Sequence, residues 1–64
     1  MLLYMIRTTG NNYLKSYTQN GNDTFTAVWT KTPANAKVFF AWADVAEAAK
    51  VVGGTILTFE LKAS

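Results

Sequence analysis

The sequence predicts an α+β fold, in which an antiparallel sheet of four or five strands carries one helix on a face. Three observations lead to this prediction. Short segments of β-branched, aromatic and alternating residues are separated by turns rich in Gly and Asn. One alanine-rich segment shows helical spacing of its apolar residues. The pair Gly53-Gly54 follows that segment directly and precedes another alternating segment. The predicted order is β-β-β-(β)-α-β within a single domain, residues 1–64.

The first predicted strand, Leu2–Thr8, is apolar on both of its faces. Leu2, Tyr4 and Ile6 share one face, and Leu3 and Met5 precede Arg7 on the other. A strand of this kind is typical of the middle of a sheet that is covered on both sides, or of a contact between two copies.

Two further predicted strands complete an antiparallel meander. Residues 13–18 and 24–30 alternate, and the turns at 9–12 and 19–23 contain the Gly-Asn and Asn-Gly pairs that tight hairpins favour. Pro33 then breaks the pattern, since it cannot donate to a ladder, and predicts a single helical turn over 34–36. Residues 37–40 predict a brief strand.

The predicted helix spans Trp42–Val52 and ends in a left-handed cap at Gly53-Gly54. The last predicted strand, 55–62, follows after only two residues, so we expect it to pair beside the first strand and to bring the termini close. The helix would bury its stripe against the apolar side of this strand, while Thr58, Glu60 and Lys62 face water. The predicted stripe is Trp42, Val45, Ala49 and Val52, flanked by Ala46 and Ala48, and the predicted apolar side of the strand is Leu57, Phe59 and Leu61.

The chain is short for a stable fold. For 64 residues, hydrophobic burial and the entropy of ordering the chain nearly cancel. It has no cysteine for a disulfide and no histidine to help hold a structural zinc. Stability is therefore expected to come from tight packing or from self-association. The absence of cysteine, of a long apolar run and of a signal-peptide pattern predicts a cytoplasmic protein with no membrane partner.

The sequence predicts no enzyme, no cofactor and no metal site. Histidine and cysteine are absent, and the four carboxylates are scattered over a turn, the helix and a strand. Asp44 and Glu47 are three residues apart and could meet a hard cation, but acids early in a helix more often serve its dipole. Gly53-Gly54 precedes a strand rather than a helix, so it is not a phosphate loop.

One strand face is a candidate binding surface. Tyr13, Lys15 and Tyr17 alternate along the second strand, and Trp29 on the third could join them. Aromatic and basic groups together can stack single-stranded nucleic acid. A protein contact is favoured, because the cations are few and the chain has more large apolar groups than one helix can cover. That excess comprises Trp29, Trp42, Phe39, Phe40 and the second face of the first strand, and its partner is either another protein or a second copy.

The order of motifs resembles small uncharacterised proteins of phages and prophages of Gram-positive bacteria. The motifs are Gly10-Asn11-Asn12-Tyr13-Leu14, Phe25 with Trp29, the segment 34–39 (Ala-Asn-Ala-Lys-Val-Phe), the alanine-rich helix and Gly53-Gly54. The resemblance covers nearly the whole chain. It implies a phage or prophage accessory protein inside a bacterial cell and supplies no functional residues.

Overall fold

The computed structural model describes residues 1–21 and 24–61, and it confirms the predicted α+β fold. Four strands form one antiparallel sheet in the order β3-β2-β1-β4. The elements are β1 (Leu2–Thr8), β2 (Asn12–Gln19), β3 (Phe25–Thr30), a 3-10 turn (Pro33–Asn35), α1 (Trp42–Val52) and β4 (Thr55–Glu60).

The last strand lies beside the first, as predicted. β1 and β4 pair over six positions, from Leu2 opposite Glu60 to Arg7 opposite Thr55. The amide of Leu61 donates to the carbonyl of Met1 at 2.8 Å, so the pairing extends to the start of the chain. Three residues placed by the sequence patterns lie outside the described residues: Asn22 and Asp23 of the second turn, and Lys62 of the last strand.

The core is small and lies between the sheet and α1. The helix bounds match the prediction, and Ala49 and Val52 of the predicted stripe pack against the core, but the most deeply buried positions differ from it. Val45 is buried as predicted, whereas Ala48 rather than Ala49 is fully buried and Trp42 stays 57% exposed. The Trp42 ring meets the Tyr4 ring edge-on, with centroids 5.7 Å apart. Among the described residues the buried core consists of Tyr4, Ile6, Leu14, Phe39, Val45 and Ala48.

The segment 37–40, predicted as a brief strand, forms one isolated bridge to β1. Phe39 and Tyr4 exchange both backbone hydrogen bonds, at 2.8 and 2.9 Å. The amide of Lys37 donates to the carbonyl of Leu14 on β2 at 2.8 Å. β1 and β2 are paired only near Arg7 and Thr8. The segment therefore fills the gap between β1 and β2 where these strands separate.

The predicted orientation of the last strand is wrong. Partners across an antiparallel pair lie on the same face, and Ile6 pairs with Ile56 while Leu3 pairs with Phe59. Ile6 is in the core, and Ile56 packs against it. Phe59 therefore points away from α1, as do Leu57 and Leu61 by the alternation of the strand.

Gly54 permits the close approach of the helix-to-strand connection to β1. Gly53 ends the helix in the left-handed region (φ 77°), and its amide donates to Ala49 at 2.8 Å. A Cβ added at Gly54 would overlap the Ile6 side chain and lie 3.1 Å from the carbonyl oxygen of Arg7. The connection thus leaves no room for a side chain next to the core.

We expect Gly54→Ala to destabilise the fold by about 1–3 kcal/mol, the usual cost of forcing atoms into a packed site. Urea denaturation would measure the change. Thr55→Ala, at an exposed neighbouring position, is the control and should change stability by less than about 0.5 kcal/mol. A Gly54→Ala protein as stable as the control would show that the β1–β4 approach is looser than described.

Candidate functional site

The predicted face of Tyr13, Lys15, Tyr17 and Trp29 does not form as one surface. Tyr13 pairs with Thr30 on β3, whereas Tyr17 pairs with Ala27. These two partners are three residues apart, so they lie on opposite faces of β3, and the two tyrosines do as well. Trp29 pairs with Leu14 and lies on the helix side with Tyr17.

A β-bulge causes this separation. The register of β2 against β3 shifts between Leu14 and Ser16, which leaves Lys15 as an extra residue that is exposed. Each β2 residue after the extra one lies on the face opposite to the one that strict alternation predicts. Alternation from Tyr13 therefore places Tyr17 on the wrong face of the sheet. Tyr17 and Trp29 are half-buried against the core, and Tyr13 lies on the other side of the sheet beside Arg7.

The side of the sheet opposite α1 is apolar along β1 and β4. Leu3 pairs with Phe59, and Met5 pairs with Leu57, so all four share this side. The hydrogen bond from Leu61 to Met1 continues the same register, which adds these two residues. Two adjacent strands thus present three apolar side chains each.

The segment 37–40 widens this apolar side. Phe39 faces the core, and the Lys37 ammonium lies 5.3 Å from the centre of the Phe39 ring, on the same side. Alternation in an extended segment is expected to turn Val38 and Phe40 to the other side of the sheet. Both residues also line a groove on the helix side. Because Phe39 bridges Tyr4 in antiparallel fashion, Phe40 falls beside Leu3. The open sheet face therefore consists of Met1, Leu3, Met5, Val38, Phe40, Leu57, Phe59 and Leu61.

The open sheet face is strongly exposed. Leu3, Met5 and Leu57 are half-buried. If a large apolar side chain contributes about 150–250 Å² when fully exposed, the eight residues together expose about 600 Å². This value lies at the upper end of the roughly 300–600 Å² found for the largest patch on a typical monomer. The exposed fractions are 69% for Met1, 66% for Phe40, 56% for Leu61, 45% for Phe59 and 38% for Val38.

A groove of ≈ 740 Å³ lies on the helix side of the sheet. Tyr17 and Gln19 of β2 form one wall, and the start of α1 with Asp44 and Glu47 forms the other. The segment 37–40 also lines the groove. Both carboxylates are exposed, and the groove is open to solvent.

No group of three or more His, Cys, Asp or Glu side chains in residues 1–21 and 24–61 could hold a metal ion. Within the same residues, no helix is long and apolar enough to cross a bilayer.

Comparison with known proteins finds no matching family model, no similar curated protein and no similar solved structure. The function is therefore inferred from the geometry of this chain.

The sequence indicated part of the open sheet face. The second face of the first strand and Phe40 were recognised as apolar groups in excess of what one helix can cover. Leu57, Phe59 and Leu61 were missed because their alternation was assigned to the core. Val38 was missed because a four-residue segment carries too little periodicity to orient it.

Proposed function

We propose that the protein is a non-enzymatic protein-association module that binds its partner through the open sheet face. One observation carries the proposal: the most regularly alternating strand of the chain, β4, turns its apolar side away from α1. Alternation of this kind is typical of a strand with one covered face and one solvated face. In β4 the residues on the helix side include the exposed Thr58 and Glu60, and Leu57 and Phe59 are on the uncovered side. The pattern fits a strand whose covering layer is another molecule.

The charge distribution favours a protein partner over nucleic acid. None of the eight residues of the open sheet face has a charged side chain, and Arg7 lies beyond Met5 at one end of it. Single-stranded nucleic acid requires cations that follow the backbone together with aromatic groups that stack the bases. Tyr13 and Arg7 are neighbours on this side of the sheet, but Tyr17 and Trp29 lie on the other side. Nucleic-acid binding therefore remains the less favoured alternative.

The proposed location is the cytoplasm of a bacterial host cell, as the resemblance to phage and prophage proteins implies. The composition supports this proposal through the absence of cysteine, since extracellular domains of this size commonly depend on disulfides.

Site-specific photo-crosslinking tests the proposed function. A benzophenone amino acid in place of Phe59 is expected to give a discrete protein adduct in cells on irradiation, because Phe59 lies within the open sheet face. Phe25 is the matched control, since it is also a strand phenylalanine and is 42% exposed, but it lies on the helix side of β3. A probe at Phe25 should give no adduct of comparable yield.

Equal yields at both positions, or no adduct at either, would contradict the proposed function. A gel-shift experiment with single-stranded DNA and RNA addresses the alternative. Tight binding at about 150 mM salt that weakens steeply as salt is raised would replace the protein-binding proposal with nucleic-acid binding.

A further inference from the structure

We propose that the occupant of the open sheet face is a second copy of this chain, packed sheet against sheet about a twofold axis. The inference rests on the proposed function and names its partner. In the resulting assembly two sheets form the middle layers, and the two helices lie on the outside. Sheets packed in this way keep their faces about 10 Å apart and interdigitate the side chains between them.

The area of the face reaches the lower limit of specific dimer interfaces. A standard interface buries about 800 Å² on each partner, and the smallest specific ones bury about 600 Å². The apolar residues of the open sheet face expose about 600 Å², if each contributes about 150–250 Å² when fully exposed. Arg7, Tyr13 and Thr55 lie at one end of this face and add a polar rim. An apolar centre with a polar rim is the usual anatomy of an interface.

The face is compatible with its own copy. In a twofold contact the same patch is used by both subunits, so any charge in its centre would meet a like charge. The eight residues carry no charged side chain. If the twofold axis runs perpendicular to the strands, the two Arg7 side chains lie at opposite ends of the contact and do not repel each other at close range. No buried charge is left without a partner by this arrangement.

The single chain exposes more surface than an average compact protein of its mass. Its accessible surface is 4532 Å², whereas a compact protein of 7.1 kDa is expected to have about 4,100 Å². Among the described residues, only six apolar side chains are buried. No disulfide can compensate, because cysteine is absent. A second copy can cover the open sheet face wherever the protein itself is concentrated enough to associate. A different partner covers it only where both proteins are present.

Light scattering and thermal melting test the inference. We expect purified wild-type protein to have a mass of twice 7.1 kDa at micromolar concentration and above. Its Tm should rise measurably over a 100-fold increase in concentration, because association stabilises the folded state by mass action. Phe59→Lys, on the edge strand β4 within the face, should raise the dissociation constant at least about 100-fold, as loss of an aromatic anchor does. Phe25→Lys should leave the mass and its concentration dependence unchanged.

A milder variant covers the case in which Phe59→Lys does not fold. Phe40→Ser alters an exposed side chain outside the core, and we expect it to fold at high concentration and to dissociate at concentrations where the wild type is dimeric. Dimers of unchanged affinity for both Phe59→Lys and Phe40→Ser would overturn the inference, because the contact would then lie elsewhere.

Other outcomes separate this inference from the proposed function. A wild-type monomer at about 1 mM with a concentration-independent Tm overturns the second copy as occupant. If the probe at Phe59 then crosslinks a different protein, the association module stands and only the dimer fails. If that monomer sediments with lipid vesicles and the Phe59→Lys variant does not, the face binds a lipid surface and both proposals fail. If the protein is a monomer and the probe at Phe59 gives no specific adduct, both the association module and the dimer are contradicted.

Discussion

Ala48→Asp is expected to leave the chain unfolded at room temperature. Ala48 has no exposed surface and lies in the same cluster as Ile6 and Val45. A carboxylate at this position would lose its water without gaining a hydrogen-bond partner, which costs several kcal/mol. The whole stability of a 64-residue domain is about 3–10 kcal/mol. Far-UV circular dichroism and thermal melting would record the loss of the cooperative transition.

Ala43→Asp is the matched control on the same helix. Ala43 is exposed in the first turn of α1, where an acid interacts favourably with the helix dipole. Its Tm is expected to stay within a few degrees of the wild-type value. A cooperatively folded Ala48→Asp protein with an unchanged Tm would contradict the description of α1 as the cover of the core.

The helix illustrates what local patterns can predict. Its bounds follow from alanine-rich composition and from the stop signal of Gly53-Gly54, both of which act within the segment itself. Which alanine is buried depends on where the sheet lies relative to the helix. Ala48 and Ala49 are equally apolar and adjacent, so hydropathy cannot distinguish the two, and only the position of the sheet beneath decides.

The last strand shows why alternation does not identify the covered face. Alternation assigns the residues of a strand to two faces and predicts that the apolar face is buried. It does not identify the element or molecule that buries this face. Here the connection through Gly54 and the pairing of Ile6 with Ile56 direct the Ile56 side toward α1. The more apolar side is then left uncovered by α1. The assumption that the more apolar face must cover the chain's own core fails for this reason.

The candidate site depended on two features without a local signal. The bulge between Leu14 and Ser16 involves no glycine or proline, so nothing in the residues marks the change of register. The bridge between Tyr4 and Phe39 joins residues far apart in sequence, and it orients Val38 and Phe40 only because β1 and β2 separate there. Residue types predicted an excess of exposed apolar groups, but tertiary pairing determined which of them share a surface.

Phe39→Ala is expected to lower the free energy of unfolding by about 3–5 kcal/mol, the usual cost of removing a buried aromatic ring. The ring is almost fully buried and completes the core between Tyr4 and Leu14. Its loss would leave a cavity where β1 and β2 separate. The segment 37–40 would then be held to β1 by the two backbone hydrogen bonds to Tyr4 without the packing of the ring. The Lys37 ammonium would also lose the ring face that it contacts.

Urea denaturation at one fixed protein concentration measures this effect, with Phe25→Ala as the control. Phe25 is also a phenylalanine, but it is exposed on β3 and lies outside the core. We expect its replacement to cost less than about 1 kcal/mol, as for most exposed positions. Equal losses for the two variants would show that Phe39 does not anchor the segment between β1 and β2. The orientation of Val38 and Phe40, and with it one edge of the open sheet face, would then have to be reassigned.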